Sequence, residues 1–133
     1  MKYLLDTNIC VYWLKGAMGI DKKISAVDID DIFVSAITIA ELLYGAYNSA
    51  NVDKNLSKVK EFEEAINTIE LNRSCMAAYA QIKAKLRAEG KIIDDFDILI
   101  AATAIVNNYI LVTNNTKHFE RIQGLTIENW ISQ

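Results

Sequence analysis

"YLLDTNICVYWLKG", residues 3–16, runs from an apolar segment into a carboxylate and on into a second apolar segment that Gly16 stops. Tyr3-Leu4-Leu5 reads as a buried strand, and the residues from Asn8 to Gly16 as a helix. Asp6 then falls at the far end of the strand, beside the core. A charge there is costly to desolvate unless something compensates it. Two partners could: the free amides at the start of the next helix, or a cation.

The same strand-then-helix sequence recurs along the chain. "IFVS", residues 32–35, is a second strand, preceded by a short helix near residues 20–26. Thr38 reads as the start of the helix "TIAELLYGAY", with Glu41 at capping-box spacing. Residues 52–67 put Val52, Leu56, Val59, Phe62 and Ile66 on one helical face. "IEL", residues 69–71, is a short third strand, and Ser74 reads as the cap of a helix that Gly90 closes. "DDFDILIAATAIVNN", residues 94–108, is a mostly apolar helix with acids in its first turn, where the helix dipole favours them. "YILVT", residues 109–113, is a fourth strand and "LTIENW", residues 125–130, a last one. Near-continuous apolar strands joined by helices imply a parallel sheet covered on both faces, an α/β fold.

The 133 residues suit one domain over 1–133, able to bury about two-thirds of its unfolded surface. The 52% hydrophobic and 23% charged content excludes a disordered chain. No apolar stretch approaches the roughly 20 residues that span a bilayer. The N-terminus lacks the basic, apolar, small-residue series of a signal peptide. A soluble, cytoplasmic protein is expected. Cys10 and Cys75 lie far apart in apolar company, without zinc-ligand spacing, and read as reduced, buried thiols. His118 is the single histidine, so chemistry that needs two imidazoles is excluded. A net charge of -3 argues against binding nucleic acid through bulk positive charge, but not against an enzyme that recruits cations.

In an open parallel sheet, ligands bind outside the carboxyl ends of the strands. Asp6 follows the first strand, Glu41 sits in the helix after the second, Asp97 in the helix leading to the fourth, and Asn114-Asn115 after the fourth. Oxygen donors from four segments therefore reach one edge. Two unit charges about 4 Å apart repel by roughly 4 kcal/mol at an effective dielectric near 20, so such a cluster takes up protons or binds a cation. Oxygen ligands with open positions suit Mg²⁺ or Mn²⁺. Each residue also has a plainer use: Asp6 as a helix cap, Glu41 as the capping-box partner of Thr38, Asp94, Asp95 and Asp97 as dipole acids, the asparagines as a turn.

At these positions the sequence resembles PIN-domain ribonucleases, in particular the VapC-type toxins of bacterial toxin–antitoxin pairs. "LLDTNI", "ITIAELLYGAY" and "DFDILIAATAI" are similar to the family's acidic segments, and "LVTNNTKHFERIQGLTIENW" to its C-terminal signature. The resemblance covers nearly the whole chain. It implies a three-layer α/β/α sandwich around a parallel sheet of four to five strands, and Mg²⁺- or Mn²⁺-dependent endoribonuclease activity. By position, the catalytic quartet falls on Asp6, Glu41, Asp97 and Asn115, with Asp6, Glu41 and Asp97 as metal ligands. Thr7, Asn8 and Thr113 support them. A small antitoxin is implied as partner, clipped by helices 38–47 and 52–67, with Trp13, Tyr44 and Tyr47 as anchors; so is a homodimer or a toxin–antitoxin hetero-oligomer. "TNNT" resembles toxins that cut the anticodon stem-loop of initiator tRNA.

The chain departs from its family at Asn115, where many relatives carry Asp, at Asp94, where a small residue is frequent, and at Thr103, where His is common. Lys83, Lys85, Arg87 and Lys91 could follow an RNA backbone or form a solvated helix face. Rival readings are a PIN-fold interaction module without chemistry, a structure-specific DNA nuclease, and a phosphoryl-transfer domain. The last wants a second Asp two residues after Asp6, where Asn8 stands.

Overall fold

Leu4 and Leu5 are both fully buried, yet they belong to different cores. Successive strand residues point to opposite faces of a sheet, so a strand buried on both sides divides its side chains between two layers. The computed structural model, which describes residues 1–131, shows this along the sheet. Leu5, Ile32, Val34 and Val112 join one core, while Leu4 and Leu111 join the other.

The strands are β1 (Tyr3–Leu5), β2 (Ile32–Ser35), β3 (Asn67–Ile69), β4 (Ile110–Val112) and β5 (Ile127–Glu128). All pair in parallel, in the order β3-β2-β1-β4-β5. Helices α1 (Thr7–Leu14), α2 (Ile20–Ser25), α3 (Ala36–Tyr47) and α4 (Val52–Ala65) supply the first core, from Ile9 and Ile20 to Leu42 and Phe62. Helices α5 (Arg73–Ala88), α6 (Asp95–Asn107) and α7 (Thr116–Phe119) supply the second, with Leu86, Ile98, Ala101 and Phe119. The expected three-layer sandwich is present, with five strands. Among the described residues no helix is long and apolar enough to cross a membrane.

Three local readings are corrected. Helix α3 begins two residues before Thr38, because Ser35, the last residue of β2, accepts the Ile37 amide at 3.0 Å and caps the helix with no loop between. Thr38 is thus inside the helix, and Glu41 lies in its second turn with no capping box. Helix α5 is capped by Asn72, whose Oδ1 accepts the Cys75 amide at 2.9 Å; Ser74 is an exposed residue of the first turn. Strand β3 starts at Asn67 rather than Ile69, since Ile66 closes α4 in extended backbone and leads straight into the ladder. The single turn α7 and a 3-10 turn over Ile29–Asp31 are too short to show a period in the sequence.

Running outward from β1, the chain goes to β2 and β3 on one side and to β4 and β5 on the other. The crevice between β1 and β4 is therefore the topological switch point, where a ligand site is expected at the carboxyl ends. Asp6 and Thr113 are the next residues on its two sides. The Asp6 amide extends the ladder by donating to the Val112 carbonyl at 2.9 Å.

Candidate active site

Asp6 is 5% exposed and held from two sides. Its Oδ1 accepts the Thr7 amide at 2.8 Å, and its Oδ2 accepts the Thr113 hydroxyl at 2.8 Å. Thr113, fully buried, in turn accepts the Asn115 amide at 3.0 Å. Asp6 thus caps α1 and still presents a carboxylate at the switch point. Burial pushes its carboxyl above the usual range; the Thr113 bond opposes this and the nearby Asp97 charge adds to it.

Glu41 reaches the same rim from α3, half-buried, with Oε1 accepting the Thr7 hydroxyl at 2.7 Å. Asp97 comes from the opposite layer, in the first turn of α6. Burial raises its carboxyl as well; neighbouring His118 lowers it, and the charges of Asp94 and Glu41 raise it. Negative charge from three segments is therefore concentrated around Asp97. His118 Nε2 lies 3.0 Å from Asp97 Oδ2. Composition gave this histidine no role. It stands on α7 and is placed by Phe119, which it meets edge-on while that ring sits in the core.

Not every expected residue joins this hydrogen-bond network. The Asn115 side chain is exposed, and its backbone amide donates to Thr113. Asn8 is exposed and takes no part in these hydrogen bonds. Trp13 packs edge-on against Phe62, ring centres 5.6 Å apart, as part of the first core. Tyr44 and Tyr47 are 69% and 65% exposed. A cavity of about 450 Å³ does run from Glu41 between α1, α3 and α4, lined by Thr7, Val11, Leu42, Gly45 and Val59; none of the three aromatic residues lines it. Lys83 is engaged by Asp95 at 2.8 Å and Lys85 by Gln123, while Lys91 stands 3.7 Å from Glu89, as on a solvated, ion-paired face. Cys10 and Cys75 are buried free thiols, and burial holds Cys10 firmly protonated.

The donors here are carboxylate oxygens with hydroxyls behind them, the chemistry of a hard cation. Among the described residues no three His, Cys, Asp or Glu side chains are grouped tightly enough to hold an ion between them. Asp6, Glu41 and Asp97, expected as three ligands of one ion, thus approach one rim without forming such a group.

Residues 3–125 match the family described as PIN domain. The chain belongs to the PIN-domain family. Among PIN relatives, it is 38% identical to "Ribonuclease VapC2" of Rickettsia felis and 33% identical to "tRNA(fMet)-specific endonuclease VapC" of Shigella flexneri, covering 98% of both chains in each case. Its fold is similar to the PIN chain in the crystal structure of VapBC2 from Rickettsia felis bound to a promoter DNA fragment, with a TM-score of 0.90 at 38% identity and coverage of 98% and 99%. It is similar also to that in DNA-bound VapBC from Salmonella typhimurium, with a TM-score of 0.92 at 32% identity, over 98% of each chain. The PIN fold thus accounts for the strand order.

Proposed function

We propose that this chain, as one PIN domain over residues 1–133, is a divalent-metal-dependent endoribonuclease and the toxin of a toxin–antitoxin pair. The carrying observation is Asp6: a desolvated carboxylate, fixed by two hydrogen bonds at the switch point and pressed by the charge of Asp97. Such an arrangement stores repulsion that a cation relieves. The names of the relatives, ribonucleases and a tRNA endonuclease, support RNA as substrate, with tRNA first among the candidates. The VapBC complexes support a small antitoxin as partner, within a homodimer or toxin–antitoxin hetero-oligomer.

Asp6 and Asp97 are the residues that would hold Mg²⁺ or Mn²⁺, with Glu41 beside them. A bound divalent ion supplies phosphoryl polarisation and a water of lowered pKa, chemistry that a chain with one histidine cannot obtain from an imidazole pair. Thr113 and the Thr7 amide keep Asp6 aimed at the rim, the Thr7 hydroxyl orients Glu41, and His118 anchors one oxygen of Asp97 while leaving the other for the site. The cavity beside Glu41 is where a partner's side chain would enter to block the centre.

The test is cleavage of RNA by the purified chain with Mn²⁺ or Mg²⁺, stopped by chelation and by Asp6→Ala. Induced expression in bacteria with sequencing of cut RNA ends then gives the target. Folded, metal-supplied protein that leaves total RNA and tRNA intact overturns the nuclease and favours an interaction module.

A further inference from the structure

We infer that Thr38, a fully buried residue of α3, is a positioning residue that sets the orientation of Glu41 through Thr7. The inference deepens the nuclease reading and rests on it for its functional meaning, though not for its geometry. Thr7 Oγ1 lies 2.7 Å from Glu41 Oε1 and 3.0 Å from Thr38 Oγ1. A hydroxyl has one proton to give. An ionised Glu41 has none, so the Thr7 proton goes to Glu41. The other contact must then run the opposite way: Thr38 donates and Thr7 accepts. The result is a directed relay, Thr38 to Thr7 to Glu41, with α1 bridging two residues three apart on one face of α3.

A threonine inside a helix commonly returns its hydroxyl to the carbonyl four residues back. Thr103 in α6 does so, donating to Leu99 O at 2.8 Å. Thr38 instead directs its hydroxyl across to α1, at a position with 0% exposure where valine would fill the same volume. The arrangement has a counterpart on the other side of the switch point. There the Asn115 amide donates to Thr113, and Thr113 donates to Asp6. Each carboxylate is thus met by a hydroxyl that also accepts a hydrogen bond from behind, which favours turning its proton toward the carboxylate.

Partners behind metal ligands typically govern affinity by 10- to 100-fold. Thr38→Val should therefore weaken Mn²⁺ binding, measured calorimetrically, by about tenfold, while Thr38→Ser stays within about twofold of the parent. In the metal-free protein the Glu41 carboxyl ¹³C resonance should move in Thr38→Val and not in Thr38→Ser. Thr7→Val should abolish the effect of Thr38→Val, because a residue acting through another adds nothing once the intermediary is gone. If Thr38→Val does not fold, Thr38→Ala takes its place in the same comparisons. An unmoved Glu41 resonance in a folded variant, or losses that add to those of Thr7→Val, overturns the relay. A parent chain that cuts no RNA while Thr38→Val still shifts Glu41 removes the nuclease reading and leaves the relay intact.

Discussion

Asp6 and Asp97 both carry carboxyls raised above their ordinary range, and burial is the main cause in each. The folded chain therefore keeps protons that the unfolded chain has already released, in the window between the ordinary and the raised value. Stability of the metal-free protein should fall as pH rises through that window. Asp97→Asn removes part of the decline and keeps an oxygen for His118. Urea denaturation with chelator should show it as stable as the parent or more so above the window, while RNA cleavage is lost. If it unfolds instead, Asp97 is structural. His118→Ala frees the Asp97 side chain, and Mn²⁺ affinity should fall by about tenfold with the fold retained on circular dichroism. Asp6 and Asp97 were legible because one follows a strand and the other lies in the first turn of a helix. His118 was not, since it lies 21 positions from Asp97, on a turn too short to betray its direction. Thr38 was misread for a related reason: its spacing to Glu41 imitates a capping box, while its partner lies 31 residues earlier.

Two helix boundaries turn on which of two cap-forming side chains takes the free amides. Ser35 precedes Thr38, and Asn72 precedes Ser74, so in both cases the earlier residue takes the orphan amides and the later one is absorbed into the helix. Asn72→Ala should cost about 1 kcal/mol, whereas Ser74→Ala should change stability by less than about 0.5 kcal/mol. Equal losses in thermal denaturation would reverse the assignment. The long periodic helices α4 and α5 are legible nearly to their ends because their inward-facing side chains recur every three to four residues. Strands of three residues carry no such redundancy, and β3 was displaced by two.

At the scale of the molecule, the alternation of Leu4 with Leu5 and of Leu111 with Val112 divides the interior into two cores and forces the sandwich. The strand order then brings the N-terminal and C-terminal portions together at one crevice. A divalent ion bound there stabilises only the folded chain. At a hundredfold excess over its Kd, Mn²⁺ should add about 2.7 kcal/mol. The same titration on Asp6→Ala should leave the melting midpoint unmoved, and an equal rise in both would place the ion elsewhere.

The bond between Thr113 and Asp6 joins residues 107 positions apart. A ribosome making this polypeptide releases Asp6 and Glu41 long before β4 emerges from its exit tunnel. Until then the first strand lacks its inner neighbour and the aspartate lacks its second donor. The surroundings of Asp6 are thus completed only near the end of the chain's own synthesis.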